Sequence, residues 1–265
     1  WLIPQDAGTE ESSTEFASIG SDSFTLNTSD AKLNSGSHTY VAWAWKANGG
    51  TRTTNTESGN NPAGGYQANT TAGFSIVDYT GTGATGTMAH GLGAVPDFYM
   101  IKNRTEAVDW MGYHVGTASD PETDGIRLNT TDALTDAATF WNDTAPTSTV
   151  FTVNTSTNVN KDAITYIGYF WKSIQGYSKF SSYVGNGNAN GPFVHTGFKP
   201  AYVMVKKSSS TGTWTIFDKK RGADMSANDH SLKANGADAE YTSENWVGFV
   251  SNGFKFEGTN DDANG

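Results

Sequence analysis

A chain of 265 residues with 12% aromatic side chains can bury a core, either as one large β domain or as two to three small ones. The formal net charge of −10 argues against a generic nucleic-acid surface, because the short basic spots Lys206-Lys207 and Lys219-Lys220-Arg221 lie beside turn-like sequence rather than in a cluster. Cysteine is absent, which removes disulfides, thiolate metal sites and cysteine nucleophiles, and no apolar run approaches the ~18 residues of a membrane span.

In chain order, residues 1–46 contain two strand-like stretches, Phe24-Thr-Leu-Asn-Thr-Ser29 and Thr39-Tyr-Val-Ala-Trp-Ala-Trp-Lys46. Residues 47–72 hold one large apolar side chain, Tyr66, and their Gly, Asn and Thr content predicts a linker or long surface loop. Short β-branched and aromatic runs bounded by Gly, Asn and Asp then predict strands at Phe74–Tyr79, Phe98–Ile101, Ala163–Phe170 and Tyr202–Val205. The run from Tyr166 to Trp171 is apolar on both faces, as in a strand enclosed by packed layers or an interface. Helical periodicity is confined to one candidate, Asp132–Phe140.

The runs repeat. Tyr79-Thr-Gly-Thr-Gly83 corresponds to Tyr183-Val-Gly-Asn-Gly187, Pro96-Asp-Phe-Tyr-Met-Ile-Lys102 to Pro200-Ala-Tyr-Val-Met-Val-Lys206, Trp110 to Trp214 and Leu128 to Leu232, all 104 positions apart. Phe24–Ser29 and Thr39–Lys46 match Phe151–Ser156 and Thr165–Lys172. The expected organisation is the C-terminal part of a preceding unit at 1–46, the linker at 47–72, a complete β-sandwich unit at 73–175, and a second unit at 176–265 lacking its last strand. The fold class is all-β, as tandem, jelly-roll-like units of about 100 residues each. The phase of the repeat adds the expectation that Phe24–Lys46 completes a sheet in a neighbouring unit or chain by strand addition.

Gly73-Phe-Ser-Ile-Val-Asp-Tyr-Thr-Gly81, His90-Gly-Leu-Gly-Ala-Val-Pro96, Trp110-x-x-Tyr-His114, Gly176-Tyr-Ser-Lys-Phe180 and Tyr40-Val-Ala-Trp-Ala-Trp-Lys46 resemble a repeat of tail-fibre-like structural proteins from aquatic tailed phages. The resemblance runs from about Thr14 onward. It implies a virion location and a host-contact role, and it brings no catalytic residues.

Motifs that suggest chemistry have simpler explanations. Gly81-Thr-Gly-Ala-Thr-Gly86 satisfies the spacing of a dinucleotide loop, but turn sequence follows where a helix must bind the pyrophosphate. Asp120, Glu122 and Asp124 begin a calcium-loop pattern whose twelfth position is Thr131 rather than Glu, so a solvated acidic loop is favoured over a metal site. His90 and His195 precede similar turns, which suggests a repeated turn hydrogen bond. No histidine pair has metal-ligand spacing, no G-x-S-x-G elbow occurs, and no cofactor is called for. Trp43, Trp45, Trp171 and Tyr166 recur in the shared strand and are assigned to core or assembly. Trp141, Trp246 and Tyr66 lie in variable stretches and are the candidates for stacking on a sugar.

The resulting expectation is a non-enzymatic structural protein of the virion surface or extracellular space: a tail fibre, tail or surface-decoration component. Its expected partners are itself, as a homo-oligomer expected to be a trimer, other virion proteins, and a host-surface glycan, without nucleic acid or membrane insertion. The alternatives are a carbohydrate-binding module and a polysaccharide-degrading tailspike with paired carboxylates.

Overall fold

The computed structural model describes residues 1–12, 15–27, 32–47, 50–222 and 229–265. The chain is all-β. Its strands are β1 (Phe16–Ile19), β2 (Phe24–Leu26), β3 (Thr53–Asn55), β4 (Ala63–Asn69), β5 (Phe74–Thr80), β6 (Gly86–Ala89), β7 (Phe98–Asn103), β8 (Met111–His114), β9 (Asp124–Arg127), β10 (Thr135–Asp136), β11 (Val150–Val153), β12 (Thr165–Trp171), β13 (Phe193–His195), β14 (Tyr202–Lys206), β15 (Trp214–Asp218), β16 (Asp229–Lys233), β17 (Tyr241–Glu244), β18 (Val247–Val250) and β19 (Gly253–Phe256). Helix among the described residues is limited to α1 (Ala138–Trp141), α2 (Asp261–Asn264) and two short 3-10 turns. The expected helix at Asp132–Phe140 is therefore shorter and later. Thr135 and Asp136 instead pair with Gly125 and Asp124.

Eight strands form one antiparallel sheet in the order β10-β9-β8-β7-β12-β5-β4-β3, and β6 pairs separately with β11. The centre of the sheet is β12, laddered to β5 over seven pairs and to β7 over six. Its side chains alternate between two apolar layers, which explains the two-faced sequence. Tyr166 and Phe170 enter a core with Tyr79, Tyr99, Phe151 and Trp141, while Tyr169 and Trp171 pack on the opposite side with Phe98, Met100 and Trp110. The β6–β11 pair closes the first layer through Met88, Phe151 and Val153.

The linker expected at 47–72 contributes two strands, β3 and β4, to the eight-stranded sheet. β4 ladders along the whole of β5, from Ala63 opposite Thr80 to Asn69 opposite Phe74, and β3 adds outside it. Composition misleads here because the strand contributes few apolar groups and borrows a core from its neighbour. A Cβ at Gly64 would strike the Asp78 carbonyl, and one at Gly65 the Thr53 carbonyl, so the glycines permit close pairing. Tyr66 lies across Gly91, which has φ +73° and no side chain to displace it. Arg52 adds two hydrogen bonds to Asp78, at 2.7 and 2.6 Å. The first region thus begins before residue 73.

The second region forms a four-stranded sheet, β14-β15-β16-β17, and a three-stranded one, β13-β19-β18. Its registers follow the first region: Phe98 opposes His114, and Tyr202 opposes Asp218. At the next strand the spacing changes. Ile126 faces Gly112 while Leu232 faces Ile216, so Leu232 occupies the place of Ile126 rather than of Leu128. A similar shift moves the histidine correspondence. His90 Nδ1 accepts from the Leu92 N–H at 3.2 Å, and the matching bond runs from Phe198 N–H to Thr196 Oγ1 at 3.4 Å, not to His195. The turn bond recurs, carried by a different residue. At the N-terminus, β1 and β2 form a hairpin with Ile19 opposite Phe24, the arrangement of Phe249 opposite Phe254 in β18 and β19.

Candidate assembly interface

Alternation along β7 places Lys102 on the same face as Phe98 and Met100, toward the outer apolar layer. Trp110 immediately precedes β8, and its backbone N–H is held by Asn129 Oδ1 at 2.9 Å. Both side chains reach into the chain's first residues. The Trp110 indole N–H donates to the Ile3 carbonyl at 3.2 Å, and Lys102 Nζ donates to the Ala7 carbonyl at 3.1 Å as well as to Asn103 O at 2.8 Å. The Glu10 N–H then donates to Arg104 O at 2.9 Å, and Leu2 packs into the same apolar layer.

The second region grips the first in the same way. Trp214, whose backbone N–H is held by Asn235 Oδ1 at 2.9 Å, donates from its indole to Arg127 O at 2.7 Å. Lys206 Nζ donates to Lys207 O at 2.7 Å and reaches Thr131 O at 3.4 Å, and the Leu134 N–H donates to Ser208 O at 3.1 Å. The donor side chains are separated by 104 positions in the sequence. The gripped carbonyls, Ile3 and Ala7 against Arg127 and Thr131, keep a common spacing, and Glu10 and Leu134 continue it.

The chemistry is that of a structural clamp. Trp110 and Trp214 are both buried, and a buried indole N–H needs an acceptor, which each finds in a carbonyl of the preceding segment. Lys102 is fully buried. Burial pushes its amine down to about 8, against the opposing pull of Asp109 and Asp6, and burial likewise lowers Lys206. A neutral amine still carries two N–H groups, enough for the two carbonyls Lys102 meets.

The residues expected to stack on sugar do not form a binding face. Trp141 is fully buried, edge-on to Tyr99 at 5.0 Å, with its indole N–H on Asp124 O at 2.9 Å, so it is a core residue. Its position in a variable stretch hid the fact that α1 turns it inward with Phe140. Tyr66 is half-buried against the first core, and Trp246 is half-buried against the second, edge-on to Phe217 at 6.1 Å.

The residues assigned to core or assembly divide. Tyr166 is core, its hydroxyl donating to Thr157 O at 2.8 Å, and Trp171 stacks on Phe98 at 5.2 Å. Trp45 is exposed and Trp43 half-buried; both meet Tyr202 of β14, at 6.0 and 5.5 Å. Phe24 pairs within its own hairpin and Thr39–Lys46 carries no ladder, so strand addition is not formed within the single chain.

Asp120 and Asp124 flank a 3-10 turn, Pro121–Thr123, that contains Glu122. Burial and the neighbouring carboxylates of Asp136 and Asp120 raise Asp124. Among the described residues, no three His, Asp or Glu side chains are grouped so as to hold a metal ion. Gly81–Gly86 connects β5 to β6, a strand, so the helix terminus that a dinucleotide requires is not at that place. His114 is pushed down to about 4 by burial, and its Nδ1 accepts from the Gly116 N–H at 3.0 Å, the role of a neutral structural ring. Among the described residues, no helix is long and apolar enough to cross a membrane.

The repeated donors were visible as matched letters in the sequence, but the acceptors are backbone carbonyls and carry no side-chain signature. No curated protein and no solved structure matches the chain. The domain of unknown function DUF7483 matches residues 2–265 in one span, and the chain belongs to that family.

Proposed function

We propose that the chain is an assembly module: tandem β units fastened head to tail, serving as a tail-fibre, tail or surface-decoration component of a virion or comparable extracellular structure. The observation that carries this reading is the repeated clamp, in which a tryptophan and a lysine of each unit hold backbone carbonyls of the segment before it. A joint that recurs with its partners at fixed spacing is what a linear array needs, since each unit contacts only its neighbours. The work of such a protein is mechanical, and the reading includes self-association, expected as a trimer, contact with other virion proteins, and presentation of a surface to a host glycan. The carbohydrate-binding alternative draws no support from Trp141, which is enclosed by the core.

Small-angle scattering on the purified chain tests the joint. The expected result is a rigid, elongated particle with a defined distance between the two regions, which Trp214→Ala broadens into a distribution. A compact particle, or a variant indistinguishable from wild type, would count against the reading. Retention on a glycan array that Trp246→Ala abolishes would favour the carbohydrate-binding alternative.

A further inference from the structure

The open edge of β14 has a counterpart strand within this chain's own sequence. In the first region β7 pairs with β8 on one side and β12 on the other. Its counterpart β14 pairs with β15, and among the described residues no strand occupies the other edge. Residues 178–184, which correspond to β5, form no strand either, as expected when nothing lies between them and β14 to ladder with. An unpaired edge of this kind is a template for another chain.

Thr39–Lys46 has the features of the strand that fits. It shares Thr-Tyr at its start and Trp-Lys at its end with Thr165–Lys172, yet it carries no ladder and leaves Tyr40 50% and Trp45 44% exposed. Trp43 and Trp45 already meet Tyr202, the counterpart of the Phe98 ring on which Trp171 stacks. Within one chain Trp45 also meets Trp171 at 6.3 Å, and the Arg221 guanidinium lies 5.6 Å from the Trp43 ring. Just beyond Lys46 the chain is tied to β4, through Asn69 Nδ2 on Lys46 O at 3.2 Å and Gln67 Nε2 on Gly50 O. A segment from another molecule has no such tether relative to this edge.

Resting on the assembly reading, we infer that Thr39–Lys46 of a second copy adds to β14 as an antiparallel strand, with Trp45 opposite Tyr202 as Trp171 is opposite Phe98. Tyr40 and Ala44 then enter the second core where Tyr166 and Phe170 enter the first. Because donor and acceptor are different surfaces, the contact is heterologous and generates a closed ring or an open filament.

The chain has no cysteine, so introduced thiols report pairing directly. In the proposed register Ala44 faces Val203. Separately purified Ala44→Cys and Val203→Cys chains, mixed and oxidised, are expected to give a mixed disulfide between unlike chains. Sedimentation of the wild-type chain is expected to show concentration-dependent association, and Val41→Pro, which removes a ladder N–H that the counterpart Ile167 directs at β7, to weaken it at least tenfold with an unchanged circular dichroism spectrum. A chain that stays monomeric, an association that Val41→Pro leaves intact, or a disulfide that forms only within a doubly substituted chain overturns the proposal. None of these variants touches the tryptophan–lysine clamp. Failure here with a clamp that responds to Trp214→Ala therefore rejects strand exchange and leaves the head-to-tail reading standing.

Discussion

The two regions of this chain share strand registers and a clamp but differ in how completely they are closed. In the first, β12 lies between β5 and β7 and sends Tyr166 and Phe170 into a core that also holds Tyr79, Tyr99 and Phe151. In the second, β14 is bounded on one side, and the core is built on Phe217, Phe249, Phe254 and Phe256 without counterparts of those two rings. The sheet of eight strands exceeds that of four by β12, β5, β4 and β3, of which β12 is the one that pairs with β7. Among the described residues, β14 has no strand in that place, and the next segment outward, 178–184, forms no strand either.

The sharpest way to break the contrast is to empty the central strand of the first region. Phe170 is fully buried, with ring centroids 4.6 Å from Phe151 and 4.8 Å from Tyr99, and it stacks on His90 at 5.9 Å. Phe170→Ala is expected to cost about 3–5 kcal/mol, since a core this enclosed collapses poorly around a lost ring. Urea titration followed by tryptophan fluorescence measures it. The residue of the N-terminal segment that matches Phe170 is Ala44, which is exposed in the single chain, and Ala44→Gly in the isolated chain is expected to change stability by far less. A small loss from Phe170→Ala would mean that β12 is not what distinguishes the regions.

A smaller effect separates the two clamps by pH. Lys102 is held at about 8 by burial, below its ordinary value of 10.5. Between those values the unfolded chain binds more protons than the folded one, so stability rises with pH from about 8 toward 10. Below pH 8 both states are protonated and the burial cost is present in full. Denaturant midpoints measured from pH 7.5 to 9.5 are expected to increase, and Lys102→Met to flatten the rise. Lys206, lowered in the same direction by burial, contributes a second slope that Lys206→Met isolates. Wild-type midpoints that do not move over this interval would mean that the Lys102 amine is protonated throughout and that the clamp is an ion held by carbonyls.

Much of this fold is legible in the letters. The alternation of Tyr166 to Trp171 announces a strand covered on both faces, and the matched Pro-x-x-x-Met-x-Lys runs identify β7 and β14. Four things are not legible, each for a physical reason. β4 is recruited by hydrogen bonds and by glycines that admit a neighbouring backbone, so its composition reads as a linker. Trp141 sits in a variable loop, and only the turn of α1 shows that it faces inward. The clamp is half side chain and half carbonyl, and the carbonyl half has no sequence signal at Ile3, Ala7, Arg127 or Thr131. The two-position slip that moves Leu232 from the place of Leu128 to that of Ile126 is likewise a loop-length difference that letter matching absorbs into the wrong pair.

The smallest effect bears most directly on whether the two clamps are one device. Asn129 Oδ1 accepts the Trp110 N–H, and Asn235 Oδ1 accepts the Trp214 N–H, each at 2.9 Å. Each asparagine fixes the backbone just ahead of the strand from which the indole reaches out. Truncation to alanine strands one N–H beside a buried ring, a loss of about 1 kcal/mol. Asn129 also donates from Nδ2 to Asp109 Oδ1 at 2.8 Å, a bond to a charged acceptor, so Asn129→Ala is expected to cost slightly more than Asn235→Ala. Chemical denaturation of the two single variants and the double variant resolves the difference. Losses of similar size that add in the double variant indicate two copies of one clamp acting independently, as sites without shared partners do. A negligible loss at Asn235 alone would mean that Trp214 is positioned by its packing against Ile126 and Leu128, and that the second clamp reproduces the contacts of the first without its scaffold.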